Sequence, residues 1–161
     1  MSKIDWNLRP REVYHLTLRA EEELFSHPPL SAIRHIVGSS MATALTCHPI
    51  NLHCAGASAT DLELLFSVSE KQRSHVRSFF EKLIETTEEA VAQFYPDAPE
   101  RLFCNIHIAR CRSDREADRR MAEILSRPVE HGYVTRVADW KGFRTYPGKM
   151  VEHEGGFAFE L

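Results

Sequence analysis

Five arginines within one short segment are the residues of this sequence best suited to bind phosphate. The arginine guanidinium stays charged at all ordinary pH values, and its paired donors match phosphate oxygens. The segment contains Arg110, Arg112, Arg115, Arg119 and Arg120. Residues 101–149, which include it, hold 11 basic and 6 acidic side chains. This excess predicts a local phosphate-binding face. The alternative is a solvated helix face, because Asp114, Glu116 and Asp118 can neutralise the arginines.

The cysteines and nearby histidines are zinc ligands by residue type. Cys47 and Cys54 lie seven residues apart, as do Cys104 and Cys111, and the nearby histidines are His48, His53 and His107. Structural zinc sites usually use cysteines about two to four residues apart, and an odd separation on a strand points the two ends to opposite faces. We therefore predict buried thiols on strands. This spacing leads us to expect no bound metal. We also expect no other cofactor, since the seven glycines are scattered and form no phosphate-binding loop.

Length and composition indicate one globular domain. The chain has 161 residues, of which 43% are hydrophobic and 27% charged, and its net charge is −3. An acidic total excludes a uniformly basic nucleic-acid binder. No apolar run approaches the roughly 18 residues of a membrane helix, and the first residues lack the apolar core of a signal peptide. We expect a cytoplasmic protein with reduced thiols, one domain over residues 1–149 and a tail over residues 150–161.

The pattern of apolar residues predicts an α/β fold of the α+β kind. Residues 12–19, 50–57, 61–68 and 102–109 are predicted strands, and segments near 31–43, 69–95 and 113–128 have helical spacing. Ser69 with Gln72, and Ser113 with Glu116, have the spacing of capping boxes. The order β-α-β-β-α-β, with one further helix, matches a ferredoxin-like split βαβ sandwich: an antiparallel sheet with helices on one face.

Two segments resemble a known family. Residues 14–19 (YHLTLR) resemble the opening strand of the REP-associated, HUH-type tyrosine transposases of bacteria. Residues 128–140 (PVEHGYVTRVADW) look like their C-terminal signature, in which an Asn-Pro-Val-x-x-Gly-Leu-Val stretch precedes a short acidic turn and a Trp or Tyr. The similarity covers about residues 14–146, so it implies that the predicted domain is of the tyrosine-transposase type.

The resemblance implies a specific ancestral chemistry. Members of that family cut single-stranded DNA at ends marked by hairpins. Two histidines in a His-hydrophobe-His strand hold a divalent metal that polarises the scissile phosphate. A tyrosine on a later helix attacks and forms a covalent phosphotyrosine link. That helix typically reads Tyr-Ile-His-x-Asn-Pro-Val, and its histidine is a further candidate metal ligand.

The positions that carry this chemistry hold other residues here. On the family pattern, the histidine pair falls on Asp61 and Glu63. On the later helix the tyrosine position holds Glu123, the histidine becomes Leu125 and the asparagine before the proline becomes Arg127. A carboxylate cannot replace a phenolate in forming the stable protein–DNA ester. The resemblance therefore implies that the chain is not an enzyme of this kind.

A second register for the histidine pair is open. Residues 48–53 (HPINLH) look like a Met-Pro-Asn-His-x-His stretch whose first histidine is lost. This register places the pair about ten residues too early and leaves residues 61–68 without a counterpart. We prefer the register that begins at Asp61. In either register the pair is incomplete.

The acidic replacements suggest a further hypothesis. Asp61, Glu63 and Glu123 fall where the family keeps its catalytic centre, and three converging carboxylates can bind Mg²⁺ or Ca²⁺ through oxygen. The simpler interpretation is that a released active site drifted to acids that suit solvent. Such acids would also repel a phosphate backbone.

These observations favour one function over two others. The leading hypothesis is a domesticated, catalytically inactive transposase-like protein that binds a structured single strand, a DNA or RNA hairpin, in a regulatory role. It would use the arginines of residues 110–120 and the strand surface. The alternative is a protein-interaction or assembly module, with a protein partner or a homodimer, that has lost nucleic-acid binding. A carboxylate metal-dependent nuclease ranks third, and no membrane partner is expected.

Overall fold

Along the chain the elements follow the order strand, helix, strand, strand, helix, strand, helix, and short strands come after the last of these helices. The computed structural model describes residues 6–20, 30–95, 99, 101–145, 150–153 and 156–159. The strands are β1 (Val13–Ala20), β2 (Asn51–Ala57), β3 (Asp61–Ser67), β4 (Phe103–Arg110), β5 (Arg144–Thr145), β6 (Met150–His153) and β7 (Gly156–Phe159). The helices are α1 (Leu30–Cys47), α2 (Val76–Phe94) and α3 (Asp114–Glu130).

Five strands form the central sheet, in the order β4-β1-β3-β2-β5. All its pairings are antiparallel; in β1 and β3, for example, Leu16 lies opposite Leu64. The predicted α+β class and antiparallel sheet are confirmed. Strands β6 and β7 pair as a separate antiparallel hairpin, and β7 lies beside α1.

The main core lies between the sheet and the pair α1 and α2. Strand residues at every second position, such as Leu16 and Leu64, face this side and are fully buried. From α2, Phe79 and Phe80 lie edge to face with ring centroids 4.9 Å apart, and Phe80 meets Phe66 of β3 at 5.3 Å. Burying each such side chain contributes about 1.5–3 kcal/mol, so this layer dominates the stability of the fold.

Helix α3 lies on the face of the sheet opposite α1 and α2. The prediction that all helices lie on one face is therefore wrong. The physical reason is that β2 and β3 carry apolar residues on both faces: Cys54 and Leu65 point away from the main core and pack against α3. The approach is close at Gly56, where a Cβ atom would lie 3.0 Å from Ile124 Cγ2 and 3.3 Å from Ile124 O. Glycine at this position lets the α3 backbone rest on the sheet.

The two predicted capping boxes differ in outcome. At the start of α3, Ser113 Oγ accepts a hydrogen bond from the backbone N–H of Glu116 at 3.2 Å, as expected of an N-cap. Ahead of α2, Gln72 Oε1 accepts from the backbone N–H of Ser69 at 2.9 Å. The α-helix begins only at Val76, after a short 3-10 turn at Arg73–His75. The predicted box at Ser69 and Gln72 therefore closes a turn and does not cap α2.

The end of α3 explains part of the C-terminal signature. The helix continues past Pro128 to Glu130. Gly132 has a φ of 72°, in the left-handed region, and its N–H donates to Val129 O at 3.0 Å. The Tyr133 N–H donates to Pro128 O at 2.9 Å. These two bonds form the Schellman motif that ends many helices and favours glycine. Within the described part of the chain, no helix is long and apolar enough to span a membrane.

Candidate functional site

The α3 side of the sheet is polar along one band, and this band contains the positions singled out by the resemblance. Strand periodicity turns His15 of β1, and Asp61 and Glu63 of β3, away from the main core. Helix α3 crosses this face and brings Arg127 over Glu63. Side chains from two strands and one helix therefore meet in one place.

Glu63 is the centre of a buried ionic network. Its side chain is only 4% exposed, yet it accepts two parallel hydrogen bonds from Arg127, Nε to Oε2 and Nη2 to Oε1, both at 2.9 Å. His15 Nε2 lies 3.2 Å from Glu63 Oε1. Because an ionised carboxylate only accepts hydrogen bonds, Nε2 is the donor of this contact. Bidentate pairing with a guanidinium is a strong form of hydrogen bonding for a carboxylate.

The network keeps Glu63 ionised despite its burial. Burial raises the pKa of this carboxyl group, but the hydrogen bonds from His15 and Arg127 and the Arg127 charge outweigh it and lower the pKa to about 2. Reciprocally, the hydrogen bond to Glu63 raises the pKa of Arg127. Both groups are therefore charged throughout the physiological range, and each satisfies the other.

The other two acids of the proposed carboxylate group are occupied by arginines of their own. Asp61 Oδ1 accepts from Arg19 Nε at 2.9 Å, and Asp61 Oδ2 accepts from Thr60 Oγ1 at 2.7 Å. Glu123 Oε2 accepts from Arg120 Nη1 at 2.8 Å. Among the residues that the structure describes, no three His, Cys, Asp or Glu side chains are grouped as metal ligands would be. The arrangement consists of separate ion pairs.

The positions that the resemblance assigns to α3 lie in two different environments. Leu125, at the histidine position, packs on the apolar cluster around Cys54 and Leu65. Arg127 reaches Glu63 instead. The sequence analysis did not predict this pairing, although a signal was present: the resemblance puts an acid, Glu63, at the second histidine position and a base, Arg127, before the proline, and opposite charges attract.

The five predicted phosphate-binding arginines differ in their ion pairing. Arg119 and Arg120 lie near the acids of their own helix, Glu116 and Glu123, at 2.8–3.8 Å. Arg110, at the end of β4, pairs with Glu12 at 2.9 Å. The remaining two are exposed and form no ion pair with any described residue; they are Arg112 and Arg115. Of these five arginines, the two without an ion pair therefore lie before and at the start of α3.

Beside the network, the sheet surface remains open on β1 and β4. Thr17 lies opposite His107, and Arg19 lies opposite Asn105. Arg19, Asn105 and His107 are exposed and Thr17 is half-buried. This strand surface carries hydrogen-bonding groups and one ion-paired arginine, so it can form hydrogen bonds with a polar ligand.

The cysteines only partly match the predicted buried thiols. Cys54 of β2 is fully buried, and burial raises its pKa to about 12. Cys104 of β4 is exposed, because β4 is an edge strand whose outer face α3 does not cover, and Cys47 at the end of α1 is exposed as well. Cys111 lies half-buried beside α3, and burial raises its pKa.

Comparison with known proteins bears on the fold. One similar solved structure is a REP-associated tyrosine transposase bound to a REP hairpin, with a TM-score of 0.72 and 13% identity, over 92% of this chain and 85% of that one. Another is a bacterial tRNA(His) guanylyltransferase-like protein in complex with GTP, with a TM-score of 0.56 and 10% identity, over 96% and 84%. No family model and no curated protein matches the chain. At the level of the fold, the chain is like an HUH-type transposase.

Proposed function

We propose that this chain is a catalytically inactive relative of the tyrosine transposases that binds a structured single strand of DNA or RNA in a regulatory role. One observation carries the proposal: His15, Glu63 and Arg127 form a closed network around Glu63, a position where the resemblance puts a metal ligand. On this proposal the transposase-like fold is kept, while side chains that hydrogen-bond to one another occupy the position of the catalytic centre.

Inactivity is supported by what the replaced residues can do. Phosphotyrosine chemistry needs a phenolate in line with the leaving oxygen and a cation on the scissile phosphate. Glu123, at the nucleophile position, is a carboxylate paired with Arg120. Glu63, at a ligand position, already has both oxygens bonded to Arg127. A metal ion would therefore have to displace the bidentate Arg127 side chain from the buried Glu63 carboxylate.

Nucleic-acid binding is supported by charge placement and by the compared structures. Arg112 and Arg115 are exposed cations without an ion pair among the described residues, and Arg110 is exposed next to them. The two similar proteins are complexes with a REP hairpin and with GTP, both of which carry phosphate. Phosphate contacts give affinity that falls steeply as salt rises.

The test compares hairpin binding by the wild type and by two variants of equal charge. Fluorescently labelled DNA and RNA hairpins are titrated at several salt concentrations. Arg112→Gln/Arg115→Gln should weaken binding about tenfold and flatten the salt dependence. Arg77→Gln/Lys82→Gln loses the same charge from α2, where both cations are paired with acids, and should bind like the wild type. Absence of salt-sensitive binding below about 10 µM would refute the function.

Inactivity needs its own assay. Hairpin-ended oligonucleotides are incubated with the protein and Mg²⁺ or Mn²⁺, and the products are resolved on a denaturing gel. We expect full-length oligonucleotide and no protein–DNA adduct. Cleavage with a covalent adduct would mean that the transposase reaction survives, and cleavage without an adduct would favour the nuclease hypothesis.

Neither alternative is favoured by a specific observation. A docking module needs a contiguous apolar patch, whereas the only large apolar side chains found exposed among the described residues are Phe94 and Tyr133, which lie on different elements. The nuclease hypothesis needs carboxylates free to bind metal, whereas Asp61, Glu63 and Glu123 are each paired with arginine.

A further inference from the structure

One end of the central sheet brings together three loops that are distant in sequence. The Arg11 N–H donates to Val68 O, and the Cys111 N–H donates to Val13 O, both at 2.8 Å. The segment before β1, the segment after β3 and the segment between β4 and α3 therefore lie side by side. Arg112 follows directly in the third of these.

An open groove lies at this sheet end. It has a volume of about 540 Å³ and is lined by Pro10, Arg11, Ser69, Glu70 and Lys71. This volume lies within the range of about 300–1,000 Å³ that is typical of small-ligand sites, and it suffices for a nucleotide unit of a longer strand. Of these residues, sequence motifs single out only Ser69, as part of a predicted capping box.

The charge of the groove end is positive. Arg11 and Lys71 are exposed, and neither forms an ion pair with any residue that the structure describes. Glu70 is the one acid among the lining residues. The neighbouring Glu12 is already shared by two cations, Arg110 Nη1 at 2.9 Å and Arg9 Nη1 at 4.0 Å, on the same oxygen.

Arg11 also has an unusual backbone. Its φ is 65°, in the left-handed region that strains residues with a side chain and that glycine adopts freely. Among the described residues other than glycine, it alone has this conformation. Backbone strain of this kind clusters at functional sites, so Arg11 is a candidate for function.

We infer that this groove binds backbone phosphate of the nucleic acid, so that the strand crosses the end of the sheet from Arg11 and Lys71 to Arg112. The inference rests on the proposed function and adds a path for the strand. The path leaves Arg119 and Arg120 aside, because the acids of α3 already neutralise them. Arginine and lysine together supply the charge and donors that phosphodiesters require.

The test removes the two groove cations without endangering the fold. Arg11→Gly/Lys71→Gln deletes both charges, and glycine relieves the strained backbone, so the variant should unfold at a urea concentration no lower than that of the wild type. Hairpin binding should weaken about tenfold, and the log–log salt slope should fall by about 1.4–1.8, as for two lost phosphate contacts. The control variant is Arg77→Gln/Lys82→Gln, with the same net charge.

The outcomes separate the two proposals. If the wild type binds the hairpin and the groove variant keeps its affinity and salt slope, the groove inference is wrong and the proposed function stands. Equal weakening in the groove and control variants would trace the effect to net charge and also overturn the groove. If the wild type binds no hairpin, both proposals fail. Inorganic phosphate at millimolar concentration is a further probe: it should compete with the hairpin for the wild type more than for the groove variant.

Discussion

Replacing Arg127 by methionine should cost more stability than neutralising the whole ion pair. In the native protein Glu63 has two bonds of 2.9 Å from Arg127 and one of 3.2 Å from His15. The substitution keeps the aliphatic length of the side chain but leaves a buried carboxylate with His15 alone. Removing one partner of a buried pair costs about 3–5 kcal/mol. We expect about 3 kcal/mol, since the Arg127 side chain is one third exposed and water can enter.

The matched control is Glu63→Gln/Arg127→Met, which buries no charge. Its loss should be about 1–2 kcal/mol, smaller than that of Arg127→Met although it removes more interactions. Urea unfolding at pH 7, followed by circular dichroism, gives the three free energies. A loss below about 1 kcal/mol for Arg127→Met, or a double variant less stable than the single, would refute the account of the network.

The same pair predicts a dependence on pH. The pKa of Glu63 is lowered to about 2 in the folded protein, against an ordinary value near 4.5. A lowered pKa stabilises the fold above the unfolded value, so the contribution of about 3 kcal/mol is lost as pH falls from about 4.5 to 2. In Arg127→Met the burial of Glu63 favours its protonated form. The stability gap between the two proteins should therefore narrow as pH falls from 7 to 3, and a constant gap would exclude Glu63 as its cause.

Three further predictions concern packing and burial. Gly56→Ala places a Cβ 3.0 Å from Ile124 Cγ2 and should cost about 1–3 kcal/mol in urea unfolding; an unchanged midpoint would contradict the close approach of α3. Gly132→Ala, at a φ of 72°, should cost about 1 kcal/mol, with Gly132→Asn less harmful, whereas equal stabilities would argue against the left-handed cap. Iodoacetamide at neutral pH should modify exposed Cys104 in the native protein and buried Cys54 only after unfolding; peptide mass spectrometry showing early modification of Cys54 would contradict its burial.

Local patterns in the sequence were sufficient for most of the strands. The alternation over residues 61–68 predicts a strand that turns Leu64 one way and Glu63 the other, and the structure has this arrangement in β3. The Ser113 cap of α3 was likewise predicted from residues three apart. Such features depend on neighbours within a few residues, so their causes are present in a short stretch of sequence.

The placement of α3 was less accessible. Helical periodicity shows that α3 has an apolar side, with Ile124 on it, but it does not say which sheet face receives that side. The deciding residues lie on other elements: Leu65 and Cys54 form an apolar patch on the second face of the sheet, and Gly56 allows a close approach there. The prediction that all helices lie on one face of the sheet was therefore wrong for α3.

The content of the candidate site shows the same division. The resemblance predicts that Glu63 and Arg127 depart from a transposase pattern, and that prediction needs only the order of residues along the chain. Their pairing joins positions 64 residues apart, and the contact with His15 spans 48. Folding brings the three together and withdraws them from water, and this burial makes the ion pair strong and the site closed. Charge at one position is a property of the chain, whereas the partner that neutralises it is a property of the fold.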